Sequence, residues 1–319
     1  MNVGAPIIST DEGELLRHSL PTVLAQEGVE VVVLDNASDD STARVADEHG
    51  VRCVRLDERH TYCEAMNVAL RTVGGEAVLL MQPDCFLAPG FVAQALAALG
   101  EDGVGCVAPK LVRTAGPLPK QRLDAIDTAG MVVDRRRKNG LVGHGRPALA
   151  FDRRADAFGP DGAVALYRRA TLDDAAVAGE VFDEDLVRWA SDADLAWRVR
   201  MLGWRCLYEP SAVAYHIRTY SPSTRARVDA SDRRMQFRNR YLMTVKNDPL
   251  RTFVRDLPRI AAYEVLALGF ALVRERHLLR GYAEAARLVP RMYRKRAVLQ
   301  ARRRERSAPP VPYGLEPPA

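Results

Sequence analysis

The chain has 319 residues, 47% of them hydrophobic and 27% charged, with a net charge of +5. This is ordinary for a globular protein of one large or two modest domains. The five cysteines are scattered with no C-x-x-C pair, which argues against a disulfide framework or a structural zinc site, and no secretory leader is visible ahead of the apolar residues 5–8, so a reducing cytosol is the expected compartment.

Apolar runs alternate with amphipathic stretches over the first hundred residues. Strands are expected at 6–9, 29–34, 51–56 and 77–81, and helices at 13–26, 39–48, 64–72 and 91–99. This β-α-β-α rhythm predicts a mostly parallel central sheet with helices on both faces. After residues 104–107 the rhythm loosens, and 112–157 are expected as loops with short strands. A strand follows at 163–167, a helix at 192–202, and two short strands at 205–208 and 212–215. From about residue 222 the pattern is helical. Residues 260–273 are apolar except for Glu264, yet too short for a bilayer span of about 20 residues. The proline-rich end, 307–319, is expected to be disordered.

Charge is uneven. Residues 274–306 hold twelve Lys and Arg against Glu275, Glu284 and Glu305, which leaves the remainder slightly acidic. Such a basic segment suggests an anionic partner surface. With residues 260–273 it could meet anionic lipid, or the helices could pack on the preceding domain with their arginines solvated. Nucleic acid is disfavoured, because few aromatics are interleaved and no recognised reader motif is present.

Two strands end in carboxylates. Val31-Val32-Val33-Leu34 runs into Asp35-Asn36-Ala37-Ser38, and Val78-Leu79-Leu80-Met81 into Gln82-Pro83-Asp84. Ligands of open α/β sheets bind outside such strand ends. Asp35 can accept hydrogen bonds from a base or a ribose, and Asp84 can hold a divalent cation bridging a diphosphate. Both clusters also suit plain turns. A third acidic group is Ser191-Asp192-Ala193-Asp194. There Ser191 and Asp194 form a capping-box-like pattern and leave Asp192 in the first turn near solvent, where it could take a proton from a hydroxyl. The helix N-terminus favours ionised Asp192 and nearby Asp194 opposes it. His216 follows a strand; it is structural unless that strand ends beside Asp84, where an imidazole could complete a metal shell.

In their order and spacing these pieces resemble a family 2 glycosyltransferase of GT-A fold, of the bacterial rhamnosyltransferase-like kind. The blocks are Val32-Val33-Leu34-Asp35-Asn36-Ala37-Ser38, Glu64-Ala65-Met66-Asn67, Leu79-Leu80-Met81-Gln82-Pro83-Asp84 and Val107-Ala108-Pro109-Lys110-Leu111. Further on come Gly162-Ala163-Val164-Ala165-Leu166-Tyr167-Arg168-Arg169, Phe182-Asp183-Glu184-Asp185, Ser191-Asp192-Ala193-Asp194-Leu195-Ala196-Trp197-Arg198, and the stretch up to His216. The likeness covers about residues 5–245. With the helical pattern from about residue 222 and the proline-rich end, the expected organisation is a catalytic domain over 1–221, a helical region over 222–306 and a tail over 307–319.

The resemblance implies Asp35 as the base-binding aspartate, Asp84 as the last residue of the metal motif, Asp192 as catalytic base, and His216 beside the metal and diphosphate. Thr10, Asp11, Asn36, Ser38, Asn67 and Gln82 complete the expected donor site, with Trp189 and Asp194 on the acceptor side. The metal motif lacks its first acid, having Gln82, and Ser191 stands where the family often has Glu. The implied activity is inverting, Mg- or Mn-dependent transfer from a dTDP-, UDP- or GDP-linked sugar to a glycan or lipid-linked hydroxyl. A nucleotidyltransferase would need a glycine-rich, basic phosphate loop after the first strand, whereas this loop is Ser9-Thr10-Asp11-Glu12-Gly13. A non-catalytic binding or scaffold homologue is the alternative left by the missing acids.

Overall fold

In the computed structural model, which describes residues 1–218 and 222–319, the first half alternates as expected: β1 (Val3–Ser9), α1 (Gly13–Leu24), β2 (Val29–Asp35), α2 (Thr42–Glu48), β3 (Arg52–Arg55), α3 (Tyr62–Leu70), β4 (Ala77–Met81), β5 (Cys85–Leu87) and α4 (Phe91–Leu99). Then follow β6 (Val104–Thr114), β7 (Arg122–Thr128), β8 (Met131–Val133), β9 (Asn139–Leu141), β10 (Ala155–Ala157), β11 (Val164–Arg168), α5 (Arg169–Ala175), α6 (Ser191–Met201) and β12 (Arg205–His216). The C-terminal part is α7 (Ala230–Asn247), α8 (Leu250–Val273) and α9 (Leu279–Glu305).

One sheet runs in the order β10-β12-β6-β11-β4-β1-β2-β3, with β5 on β12 and β7 on β6. β4, β1, β2 and β3 are parallel neighbours, so the carboxyl ends of β1, β2 and β4 share one rim. Side chains alternate across the sheet. Ile7 and Val33 face the helices α1, α2 and α4, while Ile8 and Leu34 belong to the apolar cluster that holds α3 and α6. The two strands expected at 205–208 and 212–215 are one strand, β12, because an irregularity between Glu209 and Val213 interrupts its register with β6 without ending the pairing.

α7 and α9 pack onto the same cluster as the sheet, through Leu242, Met243, Ala285, Met292 and Leu299. The junction is also ionic: the buried Lys246 ammonium reaches Asp183 and, at 2.9 Å, Asp194. Lys295 bonds Asp183 at 2.5 Å and Glu180 at 3.0 Å. The boundary expected at 221/222 adjoins residues outside the described ones. The tail departs from expectation. Val311 is buried, and Tyr313 stands edge-on to Trp197 at 5.5 Å, accepts a hydrogen bond from its indole at 3.1 Å and donates to Asp248 at 2.7 Å. A proline-rich composition does not prevent packing when an aromatic finds a pocket.

Candidate functional site

At the end of β2, Asp35 is fully buried. One carboxylate oxygen accepts from the Ser38 amide at 2.8 Å, and the other meets the Arg55 guanidinium at 2.7 Å; Arg55 also donates to the Ser38 carbonyl at 2.8 Å. The neighbouring loop after β1 turns back through Asp11, whose φ is 58°. Its amide donates to Ser38 Oγ at 3.1 Å, and its carboxylate accepts from the Asp39 amide at 2.7 Å and pairs with Arg59. Asn36 donates to Thr10 Oγ1 at 3.1 Å and accepts from the His60 amide at 2.9 Å. Gly13 is required for close approach: a Cβ there would lie 2.7 Å from Ser41 Oγ. Thr10, Asp11, Asp35, Asn36 and Ser38 are thus gathered at one rim, with Arg55 and Arg59 over them.

Asn67 departs from the donor-site expectation. It accepts from the amides of Val181 and Phe182 and donates to the Phe182 carbonyl and to Glu184, so its amide is spent on clamping the segment before α6.

The second part of the rim follows β4. Pairing of β5 with the end of β12 sets His216 opposite Cys85, which brings His216 Nε2 to 3.3 Å from Asp84 Oδ2. His216 Nδ1 lies 2.8 Å from Asp127 Oδ2 on β7. Arg218 donates to Asp127 at 2.6 Å and to Asp161 at 3.0 Å. Asp161 accepts from the Ala163 amide, and the adjacent Gly162 amide donates to Asp192 Oδ2 at 3.0 Å. A chain of alternating charge therefore runs from Asp84 through His216, Asp127 and Arg218 to Asp161, beside Asp192.

Burial opposes the charged form of His216. It would lower His216, but the hydrogen bonds to Asp127 and then to Asp84 outweigh it and raise the imidazole to about 9. Burial works against ionised Asp127, and His216 and Arg218 together hold it down to about 2. Asp192 is pushed up to about 6, by burial first and then by Asp161. Asp194, expected to oppose its ionisation from the acceptor side, is instead wholly buried, pairs with Arg198 at 2.9 Å and takes hydrogen bonds from Lys246 and Asn247. The capping box is also absent. The residue before α6 is Ala190 with φ 62°, and Ser191 Oγ donates back to the Arg188 carbonyl at 2.7 Å. With Val187 at φ 67°, this is a strained entry that presents Trp189, half-buried with the Arg188 guanidinium 4.9 Å from its ring.

Asp84 and His216, once a metal displaces the proton from Nε2, suit a hard or borderline divalent cation such as Mg or Mn, with an oxygen and a nitrogen converging. The neighbouring Cys85 does not: burial raises its thiol well above the ordinary range, and it donates to the Ala163 carbonyl. The sequence reading missed several groups here. Tyr62 hydrogen-bonds Gln82 and lies near Asp192. Glu12 is raised to about 7 by burial and then by Asp84. Arg55, Arg59, Asp127, Asp161 and Arg218 were also missed; only the Asp161-Gly162 step at the start of a conspicuous block offered a signal.

The sequence profile described as "Glycosyl transferase family 2" matches residues 7–173, just over half of the chain. The chain belongs to this family. Among relatives of this glycosyltransferase, the uncharacterized protein y4gI of Sinorhizobium fredii (strain NBRC 101917 / NGR234) is 26% identical over 257 residues, 74% of the chain; the chain spans only 27% of that relative's length.

Solved structures share the GT-A fold. Staphylococcus aureus TarS 1-349 in complex with UDP-GlcNAc has a TM-score of 0.61 at 16% identity, covering 96% of this chain and 88% of that one. GalNAc-T7 with UDP, GalNAc and Mn2+ has 0.61 at 14%, covering 77% and 48%. The mannosyltransferase PcManGT of Pyrobaculum calidifontis, in complex with GDP-Man and Mn2+, has 0.52 at 20%, covering 96% and 86%. Among the described residues no helix is long and apolar enough to cross a membrane.

Proposed function

We propose that this family 2 glycosyltransferase moves a sugar, rhamnose or another hexose, from a nucleoside diphosphate to a hydroxyl of a glycan or lipid-linked acceptor in cell-envelope polysaccharide synthesis, on the cytoplasmic side. The observation that carries it is the placing of Asp192 beside Asp161, at one end of the charged chain that reaches Asp84 and His216. The nucleotide complexes of TarS and PcManGT support the donor class, and five free cysteines agree with a reducing compartment.

Asp192 takes the proton of the acceptor hydroxyl as its oxygen bonds to the anomeric carbon. The anomeric carbon–phosphate oxygen bond breaks and its electron pair leaves with the nucleoside diphosphate. A single displacement inverts the anomeric centre. With its carboxyl near pH 6, Asp192 is ionised at neutral pH yet basic enough to act. A divalent cation held by Asp84 and His216 would offset negative charge on the diphosphate. Asp127 orients His216 so that Nε2 faces Asp84. Asp35, with Asn36, Ser38, Thr10 and Asp11, would receive the base and ribose.

The test is a thermal shift with dTDP, UDP and GDP, with and without manganese, followed by release of the matching nucleoside diphosphate from its sugar donor. A manganese-dependent shift with one nucleotide, lost in Asp84→Ala, supports the proposal; a ligand at about 100 times its dissociation constant stabilises by about 2.7 kcal/mol. Failure of every nucleotide to shift the protein would favour the non-catalytic scaffold.

A further inference from the structure

Among the described residues, one face of the C-terminal half of α8 has no covering partner. Along α8 only Asp256, Ile260 and Ala271 are buried. From residue 261 onward the helix shows water Val265 (71% exposed), Leu266 (72%), Phe270 (45%), Leu272 (48%) and Val273 (76%). The sole charge in this half, Glu264, is turned inward onto Arg240 and Tyr241. Val265 and Leu268 also form one wall of an open groove of about 550 Å³ with Tyr241 and Tyr282. Exposed apolar surface of this continuity marks a docking surface rather than the scattered exposure normal for a monomer.

The charges around the band decide its occupant. Arg251, Arg255 and Arg259 recur every four residues, so they share the stripe that continues as Ala262, Leu266 and Val273. Arg274, Arg276 and Arg280 follow the band at its other end, all exposed. Nearby acids are already engaged: Asp256 by Arg135, Arg137 and Arg255, and Glu275 by Arg225 and Arg233. Among the described residues, Arg251, Arg259, Arg274 and Arg280 have no acidic partner. A second copy laid on this face, parallel or antiparallel, would set arginines against arginines or against apolar side chains, which costs repulsion or desolvation. An anionic bilayer offers phosphates to both basic ends and hydrocarbon to the band between. The thirteen residues from 261 span about 20 Å along the helix, too little to cross about 30 Å of hydrocarbon and suitable for lying in the interface.

We infer that α8 docks this protein on the surface of an anionic lipid bilayer, with residues 261–273 entering the headgroup–acyl boundary and the flanking arginines on lipid phosphates. This partner stands apart from the transferase proposal, because binding needs neither donor nor acceptor.

Flotation of the full chain with vesicles tests it directly, using phosphatidylcholine alone and phosphatidylcholine mixed with phosphatidylglycerol. The wild type floats with the anionic vesicles and much less with the neutral ones, and added salt weakens binding. The double variant L266E/F270E, whose side chains are exposed and so dispensable for folding, loses about tenfold or more in partition with an unchanged melting temperature. R251E/R259E loses the preference for anionic vesicles. The inference fails if the wild type stays unbound to anionic vesicles at low salt. It fails equally if L266E/F270E floats like the wild type, or if sedimentation shows a dimer that L266E/F270E dissociates while neither protein floats.

Discussion

His216 and Asp84 face each other across the rim of the sheet, Nε2 to Oδ2 at 3.3 Å, although 132 positions of chain separate them. Strand pairing makes the meeting: β5 begins at Cys85, its partner on β12 is His216, and the Ile217 amide closes the corner on the Asp84 carbonyl at 3.1 Å. The other imidazole nitrogen is fixed by Asp127, so the ring cannot turn away from Asp84 without leaving a buried carboxylate short of a partner. Asp127→Asn should therefore weaken the manganese dependence of the nucleotide thermal shift by about 10–100-fold, while Asp84→Ala abolishes it. Removing one charge from the buried pair with Arg218 should also lower stability, by about 3 kcal/mol or less, since Arg218 retains Asp161. A D127N variant with wild-type manganese titration would remove Asp127 from the positioning role.

Asp192 carries two linked expectations. Asp192→Asn should keep the nucleotide thermal shift and reduce turnover by about 10²–10⁴-fold. In the wild type, kcat/KM should fall as pH drops through about 6, where the carboxyl takes up its proton. The stability consequence has a definite sign. The folded pKa lies above the ordinary aspartate value of 3.8, so ionising Asp192 disfavours the folded state, and stability present below pH 4 is lost as pH rises through 6. D192N should therefore melt higher than the wild type at pH 7–8, with the difference vanishing near pH 4. Equal melting temperatures at pH 8 would show that Asp192 is not held in a desolvated, acid-facing position.

Arg55 covers Asp35, and it is the exposed partner of the two, 53% against 0%. Arg55→Ala leaves a wholly buried carboxylate with the Ser38 amide alone, so a clear loss of stability is expected, of the order of 1–3 kcal/mol. If Asp35 receives the base, R55A and Asp35→Asn should both weaken nucleoside diphosphate binding, whereas turnover at saturating donor should change far less, because neither residue touches Asp192. An isothermal titration with the nucleotide that shifts the wild type checks this; unchanged affinity in both variants would exclude Asp35 from the donor site.

How much of this was legible in the sequence follows from distance along the chain. Carboxylates at strand ends, Asp35 and Asp84, announce themselves because the apolar run and the acid are adjacent. Asp192 is visible beside its helix for the same reason. Asp127 and Asp161 come from the stretch without periodicity, and only the pairing of β7 on β6 and the turn before β11 bring them to the rim. Asp194 misled because an acid three residues after a serine looks like a cap, while its partners, Lys246 and Asn247, lie more than fifty residues away. Asn67 misled in the same way: position in a motif said nothing about the backbone of residues 181 and 182 that consumes its amide.

The tail offers the sharpest contrast between composition and packing. Tyr313 is held by three independent contacts. Its hydroxyl bridges the Trp197 indole and Asp248, and the Arg137 guanidinium lies 3.8 Å from its ring centroid. The Gly314 amide donates to the Val133 carbonyl at 2.9 Å, pinning the backbone beside β8. Arg137 is itself fully buried between Asp248 and Asp256, so the tyrosine closes a charged network that ties α8 to the β8–β9 hairpin. Tyr313→Ala should expose Trp197 and open one side of that network, costing about 3–5 kcal/mol. Tyr313→Phe should cost about 1–3 kcal/mol, because Asp248 and the indole lose a shared partner inside the protein. Urea denaturation of the two variants distinguishes these effects. Wild-type stability in both would mean that residues 307–319 do not hold this seat in solution.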